Sequence, residues 1–378
     1  MRILIITNFF ASHKGGLEAI ADELFHAFSA KGQDVTWIAG NTTPPPDAVS
    51  RSHVVPLRIF NFVEDRLGIP FPLPSPRAFR EIGAQIRKAD LVILNDCMYL
   101  SSIAGFLVAR LCKVPIVILQ HIGFVPYKKA IPNALMRLAN AIFTRPMLSR
   151  ADQVVFYSEV TRKFFSGLPF RREPEMIFNG VDAGLYRTSA PGETKEQLRR
   201  EYHLPLHQPL ILFVGRFVEK KGIEVLRRMA SLRPECAWVF AGWGPLDPRS
   251  WKAPNVHVIS GLQRASIAPL YRACDLLVLP SVGEGLPLVV QEALAAGLPV
   301  VCGEESVAAD QAMAPFVRGV PVDPKNNDRT ARDFLSAIES VLAVESNRQR
   351  TRKLVAPSPF SDIPGHARPN STWRRPHA

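Results

Sequence analysis

Cysteine is scarce in this chain of 378 residues: five thiols, Cys97, Cys112, Cys236, Cys274 and Cys302, an odd number, scattered and without a Cys-x-x-Cys pair. That spacing gives neither a disulfide framework nor a zinc site. Four of the five stand beside or within apolar runs, so they are expected to be buried core thiols in a reducing cytosol. Asp-x-Asp is missing altogether. So are Gly-x-Gly-x-x-Gly, a Walker loop and a Ser/His/Asp order, which removes the dinucleotide fingerprint and the commonest nucleophile motifs. No uninterrupted apolar run is long enough to span a bilayer. The opening run from Met1 gives way after Ala11 to His13-Lys14-Gly15-Gly16. It is too short for a signal peptide and reads as a first core strand.

What is present is apolar and basic. Hydrophobic residues make up 47% of the chain, enough for two buried cores. Lys and Arg number 46 against 34 Asp and Glu, a net charge of +12 that attracts polyanions such as nucleotide diphosphates, nucleic acid or anionic lipid. Much of the excess lies in Lys128, Lys129, Arg137, Arg145, Arg150, Arg162, Lys163, Arg171 and Arg172, interleaved with Ile131, Leu135, Met136, Leu138, Ile142, Phe143, Phe164 and Phe165. The mixture suits a membrane surface and equally the solvated faces of ordinary core helices.

Short apolar runs recur with room for one helix between them: Ile3 to Thr7, Val35 to Ala39, Leu91 to Leu94, Ile116 to Leu119 and Val154 to Tyr157. A second series follows at Leu210 to Val214, Ala237 to Phe240, Val256 to Ile259, Leu276 to Leu279 and Val300 to Cys302. Fully apolar runs alternating with amphipathic stretches predict α/β architecture, two doubly wound, Rossmann-like domains in tandem. Residues 1–186 form the first domain in this reading, 187–208 a polar linker, and 209–345 the second domain. The prolines at 70, 72, 74 and 76 predict irregular surface chain, with an acceptor site as a second use. Residues 346–378 are basic and then Pro-rich, and Val355 to Ala378 is expected to be mostly disordered.

The most informative segment runs from Pro280 to Pro299. It leaves the strand at Leu279, turns at Gly283 and Gly285, and enters a helix near Pro287, with Gly297 and Pro299 to stop it. Glu284 falls on the loop and Glu292 nearly two turns into the helix, roughly 8 to 12 Å away. That gap is too wide for a shared proton and suits two hydroxyl clamps, one for a sugar and one for a ribose diol, with helix amides between them for phosphate. A solvated glutamate on a capped surface helix is the plainer alternative. In Gly215-Arg216-Phe217-Val218-Glu219-Lys220-Lys221-Gly222, Arg216 and Lys221 can neutralise a diphosphate leaving group and stand in for a metal. Gly15-Gly16 and Gly242-Trp243-Gly244 let backbone amides approach an anion. Asp96, His121 and Ser158 follow core strands, where open α/β sheets place ligands; His121 suits a sugar hydroxyl or a developing positive charge.

These residues resemble the large family 4 of retaining glycosyltransferases with the two-domain GT-B fold. The resemblance rests on Glu284 to Glu292, Gly215-Arg216 with Lys221-Gly222, Gly15-Gly16, Phe178-Asn179-Gly180-Val181-Asp182, Ala241-Gly242-Trp243-Gly244-Pro245 and Tyr271-Arg272-Ala273-Cys274-Asp275. It implies a nucleotide-sugar donor held by Gly16, Arg216 and Lys221 at the diphosphate. It implies Glu284 with Gly285 and the amides of Leu286 and Leu288 at the sugar, Glu292 at the ribose, and His121 near the anomeric carbon. Gly15, Asp96, Ser158, Asn179 and Gly242 fill out the implied pocket. No cofactor and no metal are implied. The expected acceptor is lipid-linked or a polysaccharide, as in polysaccharide or lipopolysaccharide biosynthesis, at the cytoplasmic face of a membrane that the chain touches peripherally. Nucleic acid is not expected as a partner, because only charge favours it. Two departures stand out: Gly303-Glu304-Glu305-Ser306 where the family turns on Gly-Gly, and Phe360-Ser361-Asp362 leading into prolines where it has a bracing helix. The altered end leaves a second reading, a homologue that binds a nucleotide sugar or partner without turnover.

Overall fold

Ile3, Leu4, Ile5 and Ile6 are all buried, yet they serve two different cores. Successive side chains of a strand point to opposite faces. Leu4 and Ile6 join one apolar cluster with Ile82, Phe106 and Leu148, while Ile3 and Ile5 join another with Ala21, Phe25 and Trp37. In the computed structural model, which describes residues 1–343 apart from 14–15, 43, 48–51, 63–71, 125–129, 179, 182, 188, 190–191, 263 and 285, helices cover both faces of this strand's sheet.

The strands of the first sheet are β1 (Arg2–Ile6), β2 (Asp34–Gly40), β3 (Ser52–Leu57), β6 (Leu91–Asn95), β7 (Ile116–Gln120), β8 (Gln153–Phe156) and β9 (Glu175–Met176), ordered β3-β2-β1-β6-β7-β8-β9 and all parallel. Between β3 and β6, β4 (Ile59–Phe60) pairs antiparallel with β5 (Leu73–Pro74). The proline run is therefore partly ordered: Pro74 lies in β5, and Pro76 opens the helix Pro76–Ile86, whose first turn Ser75 caps by accepting the Ala78 N–H.

The second sheet comprises β10 (Leu210–Arg216), β11 (Ala237–Trp243), β12 (Val256–Ile259), β13 (Leu276–Leu279), β14 (Val300–Gly303) and β15 (Val317–Val320), ordered β12-β11-β10-β13-β14-β15 and parallel throughout. Both sheets reverse their strand order once, between β1 and β6 and between β10 and β13. Those reversals open the crevices at strand carboxyl ends where doubly wound sheets bind ligands.

The stretch read as linker holds a helix, Lys195–Glu201, capped by Thr194. Its buried Arg199 donates to the Ala273 and Leu206 carbonyls and to the Asp275 carboxylate, which also accepts the Leu210 N–H. Lys195 pairs with the same carboxylate, and Arg272 pairs with Glu193 at 2.7 Å. This segment is fastened to the second sheet rather than hanging between two units. Across the cleft the Glu159 N–H donates to the Ala309 carbonyl at 3.0 Å.

Burial sorts the cysteines less uniformly than expected. Cys97, Cys274 and Cys302 are buried, and burial pushes the Cys302 thiol up to about 12. Cys112 is exposed, because it caps the end of the helix Leu100–Leu111, and Cys236 is half-buried. The predicted disordered tail lies outside the described residues.

Candidate functional site

Arg216 ends β10, and a short turn, Glu219–Lys221, carries the chain to the helix Ile223–Leu232. Gly222 makes that turn possible: it sits at φ 74°, and a side chain there would collide with the Pro280 carbonyl at the end of the neighbouring strand. The close approach brings Lys221 to the loop after β13. Its Nζ lies 3.0 Å from Glu284 Oε2, and Lys220 Nζ lies 3.7 Å from Oε1. Neither Lys221 nor Glu284 is an exposed loop residue, their side chains being 16% and 13% accessible.

Burial works to raise the Glu284 carboxyl, but the Lys221 and Lys220 ammoniums outweigh it and hold the group below the usual carboxylate range. Burial lowers Lys221, and Glu284 opposes that shift. The loop itself is pinned at two points: the Val282 N–H donates to the Lys220 carbonyl at 2.9 Å, and the Gly283 N–H to the Glu305 carboxylate at 2.9 Å. Glu305 belongs to the Gly303-Glu304-Glu305 departure, so this departure supplies a contact to the Glu284 loop.

Pro287 caps the helix Leu288–Ala295, so Glu292 opens its second turn. Its carboxylate accepts the Tyr271 hydroxyl at 2.6 Å, and Tyr271 is fully buried. Burial, first, and the adjacent carboxylate push that phenol well above its ordinary range, so Tyr271 remains a donor. Leu286 is buried beside the loop and Leu288 starts the helix.

In the first sheet's crevice, His121 follows β7 and is buried. Its Nε2 lies 3.0 Å from Asn95 Oδ1, its ring stacks on Tyr157 at 4.2 Å, and its N–H donates to Asp96 Oδ1 at 3.0 Å. Burial pulls the imidazole down to about 3, which makes it a neutral hydrogen-bonding group near pH 7.

Asp96 adopts φ 59°, rare for a residue with a side chain, and burial raises its carboxyl to about 7 against hydrogen bonds from the His121 and Ile122 amides. The Lys220 charge reaches it from across the cleft. Ser158, by contrast, is spent on structure. It caps the helix Glu159–Phe164 and donates to Thr161 Oγ1, which in turn donates to the His121 carbonyl. Gly16 opens the helix Gly16–Ala30, and nothing lies within 4 Å of where its Cβ would stand. Gly242 packs against the Gly215 backbone. Gly15, Asn179 and Gly285 lie outside the described residues.

Five side chains that the sequence does not single out complete these groupings: Lys220, Tyr271, Asn95, Tyr157 and Glu305. Lys220, Tyr271 and Glu305 stand inside segments quoted above, and Asn95 and Tyr157 directly precede Asp96 and Ser158. Adjacency to a strand end is the available signal for all but Tyr271, which lies within the helix Arg264–Ala273.

Residues 14–185 match the model for glycosyltransferase family 4, and residues 194–353 match that for glycosyl transferases group 1. The chain belongs to this glycosyltransferase family. A GDP-mannose-dependent alpha-mannosyltransferase of Mycolicibacterium smegmatis is 28% identical over 85% of this chain and 84% of its own. A Bacillus subtilis protein named for a glycosyltransferase of teichuronic acid biosynthesis is 41% identical over 31% of this chain, which spans only 30% of that relative. A Campylobacter jejuni N-acetylgalactosaminyltransferase named for a diphospho-undecaprenol substrate is 22% identical over 75% of this chain and 77% of its own. Among solved structures, sucrose-phosphate synthase from Thermosynechococcus elongatus superposes with a TM-score of 0.68 at 20% identity, covering 94% of both chains. Anabaena HepE in complex with UDP gives 0.64 at 18% identity, covering 94% of this chain and 95% of its own. The glycosyltransferase thus has the GT-B fold, two parallel sheets facing across a cleft.

Proposed function

We propose that this glycosyltransferase moves a sugar from a nucleoside diphosphate to a lipid-linked or polysaccharide acceptor, without a metal and with retention at the anomeric carbon. The observation that carries the reading is the Lys221–Glu284 pair at the reversal of the second sheet, next to Arg216. Lys221 and Arg216 meet the diphosphate. As the anomeric C–O bond breaks, negative charge grows on the departing phosphate oxygen, and two fixed cations lower that barrier without a divalent ion. Glu284 accepts hydrogen bonds from the sugar hydroxyls. Glu292, oriented by Tyr271, accepts them from the ribose diol.

Neutral His121 lines the first sheet's side of the pocket near the anomeric carbon. The acceptor oxygen bonds to that carbon on the face the phosphate leaves, and the departing phosphate oxygen takes the acceptor's proton. The GDP-mannose and the diphospho-undecaprenol lipid named for two of the relatives support this substrate class.

Contact with an anionic membrane surface belongs to the same reading. Leu135, Leu138, Ile142 and Phe143 are exposed on the stretch from Ala130 to Arg150, beside Arg137 and Arg145. Phe165, grouped with them in the sequence, is instead buried in the core. No helix among the described residues is long and apolar enough to cross a membrane.

A thermal-shift screen against UDP-, GDP- and ADP-sugars tests the donor class, since a ligand that binds only the folded state raises its melting temperature. The anomeric configuration of the product by NMR, with and without EDTA, then tests retention and metal independence. Silence toward every nucleotide sugar sinks the proposal.

A further inference from the structure

Trp243 has no part in the chemistry above, yet it touches both halves of the cleft. On one side the Arg216 guanidinium lies over its indole, 4.7 Å from the ring centroid. On the other, His13 of the first domain meets the same ring edge-on at 5.7 Å, and His13 is itself stacked on Phe9 at 3.9 Å with 9° between the planes. Trp243 is 38% exposed, so core burial does not account for its place.

The backbone is shaped to put it there. Arg216 and Trp243 are register partners at the ends of β10 and β11, and the Phe217 N–H donates to the Trp243 carbonyl at 2.7 Å. The glycines on either side allow this: a side chain at Gly242 would overlap the Gly215 carbonyl oxygen, and one at Gly244 would come within 2.6 Å of the Phe217 carbonyl oxygen. Gly-Trp-Gly therefore presses the indole against the arginine and leaves it standing in the cleft.

We propose that Trp243 is a positioning residue for Arg216, and that its edge contact with His13 ties the set of that guanidinium to the first domain. The inference rests on the nucleotide-sugar reading of the site. A guanidinium binds a phosphate through in-plane N–H groups, while its faces are weakly hydrated and stack on aromatic rings. Covering one face with the indole fixes the plane in which the N–H groups meet the diphosphate. His13 closes the short turn Ala11–His13, just before the helix that starts at Gly16.

The test is calorimetric titration of UDP, GDP and ADP into the wild type, Trp243→Ala, Trp243→Phe, Arg216→Ala and the Trp243→Ala/Arg216→Ala double variant, each first shown to unfold at the wild-type urea midpoint. For whichever nucleotide the wild type binds, Trp243→Ala should weaken affinity about tenfold and Trp243→Phe by less than about threefold, because the phenyl face still receives the guanidinium. In the Arg216→Ala background the alanine at 243 should add nothing, since its effect runs through the arginine. Unchanged affinity in Trp243→Ala overturns the inference, and so does a full-sized loss that persists without Arg216. Where the wild type binds only the sugar-bearing donors, the same variants are titrated with those; a wild type that binds neither nucleotide nor nucleotide sugar overturns the nucleotide-sugar reading itself, and this inference with it.

Discussion

Lys221 and Glu284 pair with one another: the ammonium proposed for phosphate sits 3.0 Å from the carboxylate proposed for sugar. The full donor can replace both halves of this pair, with its diphosphate taking Lys221 and its sugar hydroxyls taking Glu284. A bare nucleoside diphosphate replaces only one half. It must draw Lys221 away and leave a largely buried carboxylate with Lys220 alone, at 3.7 Å.

Glu284→Gln should therefore split binding from transfer. With the competing charge gone, UDP or GDP should bind several-fold more tightly, on the order of 1 kcal/mol. Transfer should fall by about a hundredfold or more, because the sugar has lost a charged acceptor. Calorimetry on the bare nucleotide and a turnover assay on the donor are the paired measurements. Weaker nucleotide binding in this variant would argue that Glu284 does not compete for Lys221.

Removing only the cation should be costly for the fold. Lys221→Met leaves Glu284 largely buried opposite a single, more distant ammonium, and breaking a buried pair from one side costs about 3 kcal/mol or more. Adding Glu284→Gln should restore much of the urea midpoint while leaving transfer absent. A single variant as stable as the wild type would show that Lys220 alone suffices to hold the carboxylate.

Tyr271→Phe removes the hydroxyl that donates to Glu292 at 2.6 Å without disturbing the buried ring. Affinity for the nucleotide and for the complete nucleotide sugar should fall together, by about 1 to 2 kcal/mol, if Glu292 is the ribose clamp proposed above and only it loses its orientation. A loss confined to the sugar-bearing donor would move Glu292 away from the ribose.

The strands legible in the sequence and those that are not differ in the continuity of their apolar residues and, edge strand β12 excepted, in position in the sheet. Central parallel strands such as β1, β7 and β13 are buried on both faces and read as unbroken apolar runs. The strands missed from the two large sheets, β3, β9 and β15, lie at sheet edges. Ser52–Leu57 and Val317–Val320 are buried only at their two ends and accessible between them, and β9 is only two residues long. In the site, glycines and strand ends revealed which backbone faces the crevice. The side-chain partnerships of Lys221 with Glu284, Tyr271 with Glu292 and Trp243 with Arg216 join separate strand-to-helix units, so no local pattern encodes them.

Asp96 should leave a mark on stability against pH. Its carboxyl is at 3.8 in the unfolded chain and about 7 in the fold, raised first by burial and slightly by Glu18, against the His121 and Ile122 amides and the Lys220 charge. Between those values the folded state holds a proton that the unfolded state has released. Stability from this group is full below pH 3.8 and is lost as pH rises through about 7. Asp96→Asn keeps an oxygen for the two amides and cannot ionise, so its urea midpoint should gain on the wild type from pH 5 to pH 8. His121 titrates alike in both proteins and drops out of the difference. A gap that stays constant with pH would mean the carboxyl ionises normally in the fold.

The exposed side chains between Ala130 and Arg150 give the membrane reading two separable components. Leu135, Leu138 and Ile142 are 66%, 55% and 53% accessible, an apolar face that would insert at the headgroup boundary, while Arg137 and Arg145 add attraction to anionic lipid. Leu138→Glu with Ile142→Glu should abolish flotation with vesicles containing phosphatidylglycerol at any salt concentration. Arg137→Gln with Arg145→Gln should weaken it by about 1 kcal/mol per charge, with most of the loss at low salt, because screening already suppresses the attraction at high salt. Neither pair should change transfer to a water-soluble acceptor, since none of these residues has been placed in the cleft. Equal flotation of wild type and both variants would return these helices to the plainer reading, solvated faces of the first domain.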